Sequence, residues 1–186
     1  WVALENNEEE VKRLCAIAYY AGDALMMAEM AEVLGKREDV EKYREVYEVE
    51  KAYFQEKYVN ADGSLKRTEQ TACLMALHYD LLPDENSREV VKAALLENLK
   101  SHGNKLQTGF LGTGAIMQTL TDVGAADVAY QLLLQRDYPS WLYSIDQGAT
   151  TIWERWNSYT KESGFGDVGM NSFNHYAYGV VAEWMY

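Results

Sequence analysis

The chain has 186 residues, enough to bury a substantial core, and carries 29 acidic against 17 basic side chains for a formal net charge of −12. A surface this acidic repels phosphate backbones and anionic headgroups, which sets nucleic acid and membrane surfaces aside as partners and leaves neutral or weakly polar ligands. No apolar run approaches the ~18–20 residues of a membrane span, and Cys15 and Cys73 each sit in an apolar helical pattern, as buried thiols rather than a disulfide framework.

The first predicted element is a long helix over about 8–34. Leu14, Ile17, Ala18, Ala21, Leu25, Ala28 and Val33 recur at helical spacing, with Met26, Met27 and Met30 widening the stripe. Asn6 or Asn7 is the expected N-cap, the glutamates at 8–10 favour the positive end of the helix dipole, and Gly35 closes the helix. Being apolar on much of its circumference, it suits the inner ring of a two-layer helical arrangement. A second helix over about 38–58 has Val40, Tyr43, Val46, Tyr47, Val49 and Tyr53 on one side. Its other side carries Glu41, Lys42, Arg44, Glu45, Glu48 and Lys51, a solvated face stitched by opposite charges. Such alternation of an apolar with a charged helix is the pattern of an αα-hairpin toroid.

Residues 60–64 predict a turn around Asp62-Gly63. They fail as a calcium loop, because counting from Asn60 puts Thr71 at the twelfth position, where a bidentate Glu is needed. A third, mostly apolar helix spans Thr68, its expected N-cap, to about Leu81, with His78 on its face. Pro83-Asp84 breaks the chain, and a charged fourth helix runs from Asn86 or Ser87 to Ser101, with His102 assisting its C-terminus. The glycines of 109–114 are in the wrong order for a dinucleotide fingerprint and lack a following Lys-Ser or Lys-Thr pair. They lead into a helix over about 114–122, where missing side chains allow close approach of a ligand or a backbone. A short helix over about 125–136 follows, with Val128, Leu132 and Leu133 inward. The periodicity then stops from Asp137 to Gly169, a length that marks a functional or a disordered loop, and its aromatic content argues against disorder. A last helix is expected from Asn171 or Ser172 to the end, with His175 in its first turn.

Within the irregular stretch, Glu154 lies between Trp153 and Trp156. A carboxylate among flat apolar rings suits a sugar ring and is how a general base looks in sequence. The alternative is structural: Glu154 pairs with a neighbouring Arg, and the tryptophans are core.

Four blocks stand out in chain order: Thr-Glu-Gln-Thr-Ala (68–72), Thr-Gly-Phe-Leu-Gly-Thr (108–113), Tyr-Pro-Ser-Trp-Leu-Tyr (138–143) with Gly-Ala-Thr-Thr-Ile-Trp-Glu-Arg-Trp (148–156), and Met-Asn-Ser-Phe-Asn-His-Tyr-Ala-Tyr-Gly (170–179). With these, residues 1–186 resemble the C-terminal half of the catalytic domain of bacterial α-L-rhamnosidases, inverting glycoside hydrolases. The resemblance implies an all-α fold, an α/α toroid of the six-hairpin glycosidase type. About seven helices make this a partial barrel, because a full one needs twelve helices and on the order of 300 residues. The chain therefore reads as a piece of a larger protein, with compartment and oligomeric state open and a homodimer through the open barrel edge one possibility.

By the same resemblance Glu154 matches the family's general base, and His175 a residue that hydrogen-bonds rhamnose hydroxyls. Trp153, Trp156 and Trp141 are candidate walls of the sugar site, of which one or two are expected to touch sugar, and Trp1 is a candidate subsite aromatic. The family's general acid belongs to a motif of the form Asp…Glu-Arg…Gly-Trp…Gly-Asp that nothing in this sequence matches. Glu69, Asp146, Glu162 and Asp167 are the carboxylates expected near the site, and no motif makes any of them the acid. The expected ligands are L-rhamnose-containing glycosides or polysaccharides, with no cofactor and no metal, since no His/Asp/Glu cluster has ligand spacing. Two other readings stand beside this one: a six-hairpin glycosidase or lyase for a different sugar, and a non-catalytic helical carbohydrate-binding module.

Overall fold

The computed structural model describes residues 3–5 and 9–186. Trp1, the proposed N-cap asparagines and the first of the three glutamates lie outside the described residues. The all-α expectation holds: among the described residues there are eight α-helices, one two-stranded hairpin and one 3-10 turn. The chain forms two compact units, residues 7–95 and residues 1–6 with 96–186.

In the first unit, α1 (Glu9–Val33) and α2 (Arg37–Tyr58) form an αα-hairpin. Gly35, at φ +68°, donates its N–H to the Glu32 carbonyl, and Lys36 donates to Ala31, so α1 ends in the expected left-handed cap. Beyond Val11, Leu14 and Cys15 in its first turns, the buried face of α1 is built from small residues, Ala18, Ala21, Gly22, Ala24, Ala28 and Ala31. Glycine is needed at 22, where a Cβ would lie 2.2 Å from the Tyr79 ring. Tyr47, Phe54 and Tyr58 are the buried residues of α2, as a one-faced helix requires. The methionine stripe expected to widen the face of α1 is instead exposed, at Met26, Met27 and Met30. The small residues bring the neighbouring elements close on one side only, so the apolar arc of α1 is wider than the face it buries.

Asp62 accepts hydrogen bonds from the Ser64 backbone and hydroxyl, making the 60–64 segment the turn its composition predicts. Helix α3 (Gln70–His78) buries every residue from Gln70 to Leu77. It is shorter than expected, with Glu69 rather than Thr68 at the N-cap position; Glu69 is extended there and its carboxylate pairs with Arg67 instead of capping the helix. Helix α4 (Glu85–Ser101) begins earlier than Asn86 because Asp84 caps it, its Oδ1 accepting the Ser87 N–H at 2.7 Å and the Ser87 hydroxyl at 2.8 Å. His102 Nδ1 lies 2.8 Å from the Asn98 carbonyl at the other end, the capping position foreseen for it. Both cysteines are buried, and burial pushes the Cys15 thiol up to about 12, the mark of an inert packing residue.

In the second unit, α5 (Phe110–Asp122) starts four residues earlier than its glycines suggested. Gly109 is the N-cap, the Thr113 N–H reaches its carbonyl, and the Thr108 and Thr113 hydroxyls meet at 2.8 Å, so Gly112 and Gly114 lie within the helix. Helix α6 (Ala126–Leu134) buries Ala129 and Leu132. The 137–169 segment is more ordered than its lack of period implied. It contains α7 (Trp141–Asp146), capped by the Ser140 hydroxyl, and an antiparallel hairpin of β1 (Tyr159–Thr160) and β2 (Gly164–Phe165). The expected terminal helix is replaced by an irregular stretch over 171–176, a 3-10 turn at Ala177–Val180 and a short α8 (Val181–Trp184). The backbone of this stretch bonds to 152–154 instead of to itself: Glu154 N–H donates to the Ser172 carbonyl at 2.9 Å and His175 N–H to the Ile152 carbonyl at 2.8 Å.

Candidate active site

Two irregular segments joined by backbone hydrogen bonds, 151–154 and 172–175, hold Trp153, Glu154 and His175. Glu154 is 8% exposed. Its Oε2 accepts the Ser172 backbone N–H at 2.6 Å, next to the Glu154 N–H to Ser172 carbonyl bond, so residue 172 fixes both main chain and carboxylate. Among the described residues no cation pairs with Glu154. The alternative in which it is matched to a neighbouring Arg fails for Arg155, which turns to Asp167 Oδ2 at 3.4 Å and the Met170 carbonyl at 3.5 Å. A buried carboxylate with a single backbone donor keeps acceptor capacity for a further partner such as water.

The three tryptophans divide by environment. Trp156 stacks flat on Tyr178, centroids 4.0 Å apart, and donates its indole N–H to the Thr108 carbonyl at 2.8 Å. Trp141 meets Trp156 edge-on at 5.3 Å and donates to the Tyr178 carbonyl at 2.8 Å. Both indole N–H groups are thus committed to the backbone, as buried Trp requires. Trp153 packs edge-on against Phe173 at 5.1 Å. It lines two hollows: a cavity of about 60 Å³ shared with Trp141, Arg155, Trp156 and Tyr178, and a more open one of about 310 Å³ with Gln147–Thr151, Tyr159, Phe165 and Phe173. Neither of these two is lined by Glu154 or His175.

His175 lies ahead of the 3-10 turn rather than in a helix. Its ring stacks on Phe110 at 5.0 Å, and its Nδ1 accepts the Ala177 N–H at 3.2 Å. That bond assigns the ring proton to Nε2, leaving one imidazole donor available to a hydroxyl acceptor. The loop is closed by a dense local network. Ser158 takes the Arg155 N–H on its hydroxyl and the Gly166 N–H and the Asn171 amide on its carbonyl. Gly166 passes so close to Asn157 that a Cβ would lie 2.5 Å from its carbonyl oxygen. Of the carboxylates considered for the acid, Asp146 pairs with Arg136, Asp167 with Arg155, and Glu162 is exposed. Glu69 belongs to the other compact unit and pairs with Arg67.

Sequence reasoning missed three residues. Ser172 anchors the carboxylate through its backbone, which leaves no side-chain signature. Phe110 and Tyr178 lay inside two of the four blocks, but nothing in the spacing brings residues 110, 156, 175 and 178 into one aromatic stack. The phenol of Tyr178 is pushed well above its usual range, first by burial; the Arg155 charge opposes this, and Tyr138 and Glu154 add to it. Burial likewise raises Tyr138.

Comparison with known proteins places this arrangement. The family model of the bacterial alpha-L-rhamnosidase 6 hairpin glycosidase domain matches residues 1–186, and the chain belongs to that family. An alpha-L-rhamnosidase of Formosa agariphila is 46% identical over 183 residues, covering 97% of this chain and 20% of the relative. One of Streptomyces avermitilis is 44% identical over 183 residues, covering 98% of this chain and 18% of the relative. The crystal structure of the Streptomyces avermitilis alpha-L-rhamnosidase complexed with L-rhamnose superposes with a TM-score of 0.93 at 42% identity, covering 100% of this chain and 18% of that one. The chain thus spans about a fifth of the length of the curated relatives it matches. The six-hairpin α/α fold class follows from these matches and from the helical architecture.

Proposed function

We propose that the chain supplies the general base and part of the sugar-binding site of a glycoside hydrolase that releases terminal α-L-rhamnose with inversion of configuration. The observation that carries this reading is Glu154: a buried carboxylate, held by one backbone N–H and paired with no cation among the described residues. Inversion requires such a group to activate water on one face of the sugar while an acid protonates the leaving oxygen from the other, the two carboxyls about 6.5–9.5 Å apart. His175, presenting Nε2–H from a ring fixed on Phe110, is assigned to a sugar hydroxyl. Of the tryptophans, Trp153 is the one assigned to a sugar face, because Trp141 and Trp156 have their N–H groups and much of their ring surface committed to packing.

The carboxylates near Glu154 in this unit are ion-paired or exposed, so in this reading the acid comes from outside residues 1–186 and these residues alone do not turn over rhamnosides. Hydrolysis of an aryl α-L-rhamnoside by the full-length protein, beside its Glu154→Gln variant, tests the assignment. The amide keeps the shape and removes the base, and the expected loss is roughly two to four orders of magnitude in kcat. Full activity in the variant makes Glu154 structural. An axial-to-equatorial change at the anomeric carbon, followed by NMR during hydrolysis, tests inversion. Turnover of other glycosides but not of rhamnosides favours a six-hairpin enzyme of different specificity.

A further inference from the structure

We propose that Phe110 and Tyr176 are positioning residues for His175: their rings hold the plane of the imidazole, so that its Nε2–H keeps one direction toward a sugar hydroxyl. The inference rests on the reading of His175 as a sugar-binding donor. Its starting point is a pair of aromatic rings that core packing does not account for. Tyr176 is 88% exposed and Phe110 is only half-buried, yet both are stacked on the imidazole and nearly parallel to it. The Phe110 centroid lies 5.0 Å from that of His175 with 13° between the planes, and the Tyr176 centroid 5.4 Å away with 8°.

Main-chain bonds alone leave this side chain undirected. The His175 N–H donates to the Ile152 carbonyl at 2.8 Å, which fixes the backbone but not the rotations about Cα–Cβ and Cβ–Cγ. The two stacks fix the plane of the ring, since turning out of it drives an imidazole edge into a neighbouring ring. A half-turn about Cβ–Cγ would keep that plane and exchange the two edges, and there the Ala177 N–H decides. It donates to Nδ1 at 3.2 Å, and after a half-turn it would meet a C–H instead. Plane, edge and tautomer are thus set by separate contacts.

Phe110 also places the imidazole relative to the segment that carries Glu154. It opens α5 directly after the Gly109 N-cap, and the Thr108 carbonyl just before accepts the Trp156 indole N–H at 2.8 Å. Its ring meets Tyr178 edge-on at 5.4 Å, and Tyr178 is stacked on Trp156 at 4.0 Å. A backbone contact and a ring contact therefore tie Phe110 to Trp156, in the same block as Glu154. Tyr176 is the weaker support of the two, with most of its surface in solvent. A donor aimed in this way meets the same hydroxyl in the ground state and in the transition state. Its loss therefore weakens sugar binding and leaves the chemical step in place.

The test uses the full-length protein, with L-rhamnose binding measured by calorimetry and aryl α-L-rhamnoside kinetics beside it, for Phe110→Leu, Tyr176→Leu, Tyr176→Phe and His175→Ala. Leucine keeps apolar bulk and removes the flat face. His175→Ala is expected to weaken L-rhamnose binding about tenfold, the scale of one hydrogen bond, and Phe110→Leu about three- to tenfold. Tyr176→Leu loses less, and Tyr176→Phe restores what leucine loses. KM rises in step while kcat is little changed, the opposite split from Glu154→Gln. The double variant Phe110→Leu with His175→Ala binds no more weakly than His175→Ala alone, because the rings have nothing to aim once the imidazole is gone. Losses that add in full, or a lowered thermal midpoint with unchanged binding in Phe110→Leu and Tyr176→Leu, make the rings packing residues and overturn the proposal. A His175→Ala enzyme that binds L-rhamnose like wild type overturns the reading of His175 itself. Independently of sugar, crystal structures are expected to show one imidazole orientation in wild type and a rotated or split ring in Phe110→Leu. An unchanged ring in both leucine variants overturns the positioning role, and Tyr176, being exposed, gives that readout without risk to the fold.

Discussion

In the α1–α2 hairpin, position comes from repetition: small residues every three or four along α1, from Ala18 to Ala31, and three aromatic residues on α2 bury one face each. Around Glu154, position comes from single bonds that occur once: Ser172 N–H to the carboxylate, Ser158 to three separate donors, Trp156 N–H to Thr108. A repeated pattern tolerates the loss of one member by degrees. A network of unique bonds holds one geometry and loses it with one member, which is what a reacting group needs. Damage to the hairpin is therefore expected to show as lost stability, and damage to the paired segments as lost geometry.

The sharpest way to break that distinction is to remove a large side chain from the hairpin. Phe54 is fully buried and packs against Tyr58 at 5.2 Å. Phe54→Ala is expected to cost about 3–5 kcal/mol in urea unfolding, while the enzyme that remains folded keeps its kcat. A fall in kcat for the folded fraction would mean that the hairpin sets the geometry of the site.

The same distinction governs what the sequence disclosed. Helices α1 to α4 were legible because their apolar residues recur at helical spacing; their ends shifted by a few residues, as where the Asp84 side chain caps α4 ahead of Asn86. The methionines of α1 misled because periodicity records apolar character, not which side has a neighbour. From 137 onward there is no period to follow. The order there comes from one local cap, the Ser140 hydroxyl, and from two contacts between positions 18 apart in the chain, Tyr143 accepting the Lys161 N–H and the pairing of residue 154 with 172. Glu154 and His175 were recognisable as residues because the blocks around them are unusual. Their anchors, Ser172 and Phe110, were not, because one acts through its backbone and the other through a stack no spacing announces.

A smaller effect separates the regions within a single helix. Ser140 is buried and caps α7, its hydroxyl accepting the Tyr143 N–H at 3.1 Å. Ser140→Ala is expected to lower stability by about 0.5–2 kcal/mol, the usual range for a lost cap. Because α7 carries Trp141, whose N–H holds the Tyr178 carbonyl, the variant is also expected to lower kcat. Thermal unfolding and steady-state kinetics on the same preparation check both; a pure stability loss would place α7 with the hairpin rather than with the site.

The smallest expected effect comes from the cap of α4, and its pH dependence identifies its cause. The Asp84 carboxyl is held below its ordinary 3.8, first by the Ser87 backbone N–H and then by the Ser87 hydroxyl. A depressed folded pKa means that the unfolded chain takes up its proton first as pH falls. The stabilisation is therefore fully present above pH ~4 and is lost as pH drops through the folded value. Asp84→Ala removes it at every pH, so the gap between wild type and variant should be constant from pH 7 to 5 and close below about pH 4. Because the carboxylate is exposed, added salt shrinks its attraction to the positive end of the helix but leaves its two hydrogen bonds in place. A gap that salt abolishes would make Asp84 a bystander charge, and one that persists in high salt yet closes in acid makes it the cap.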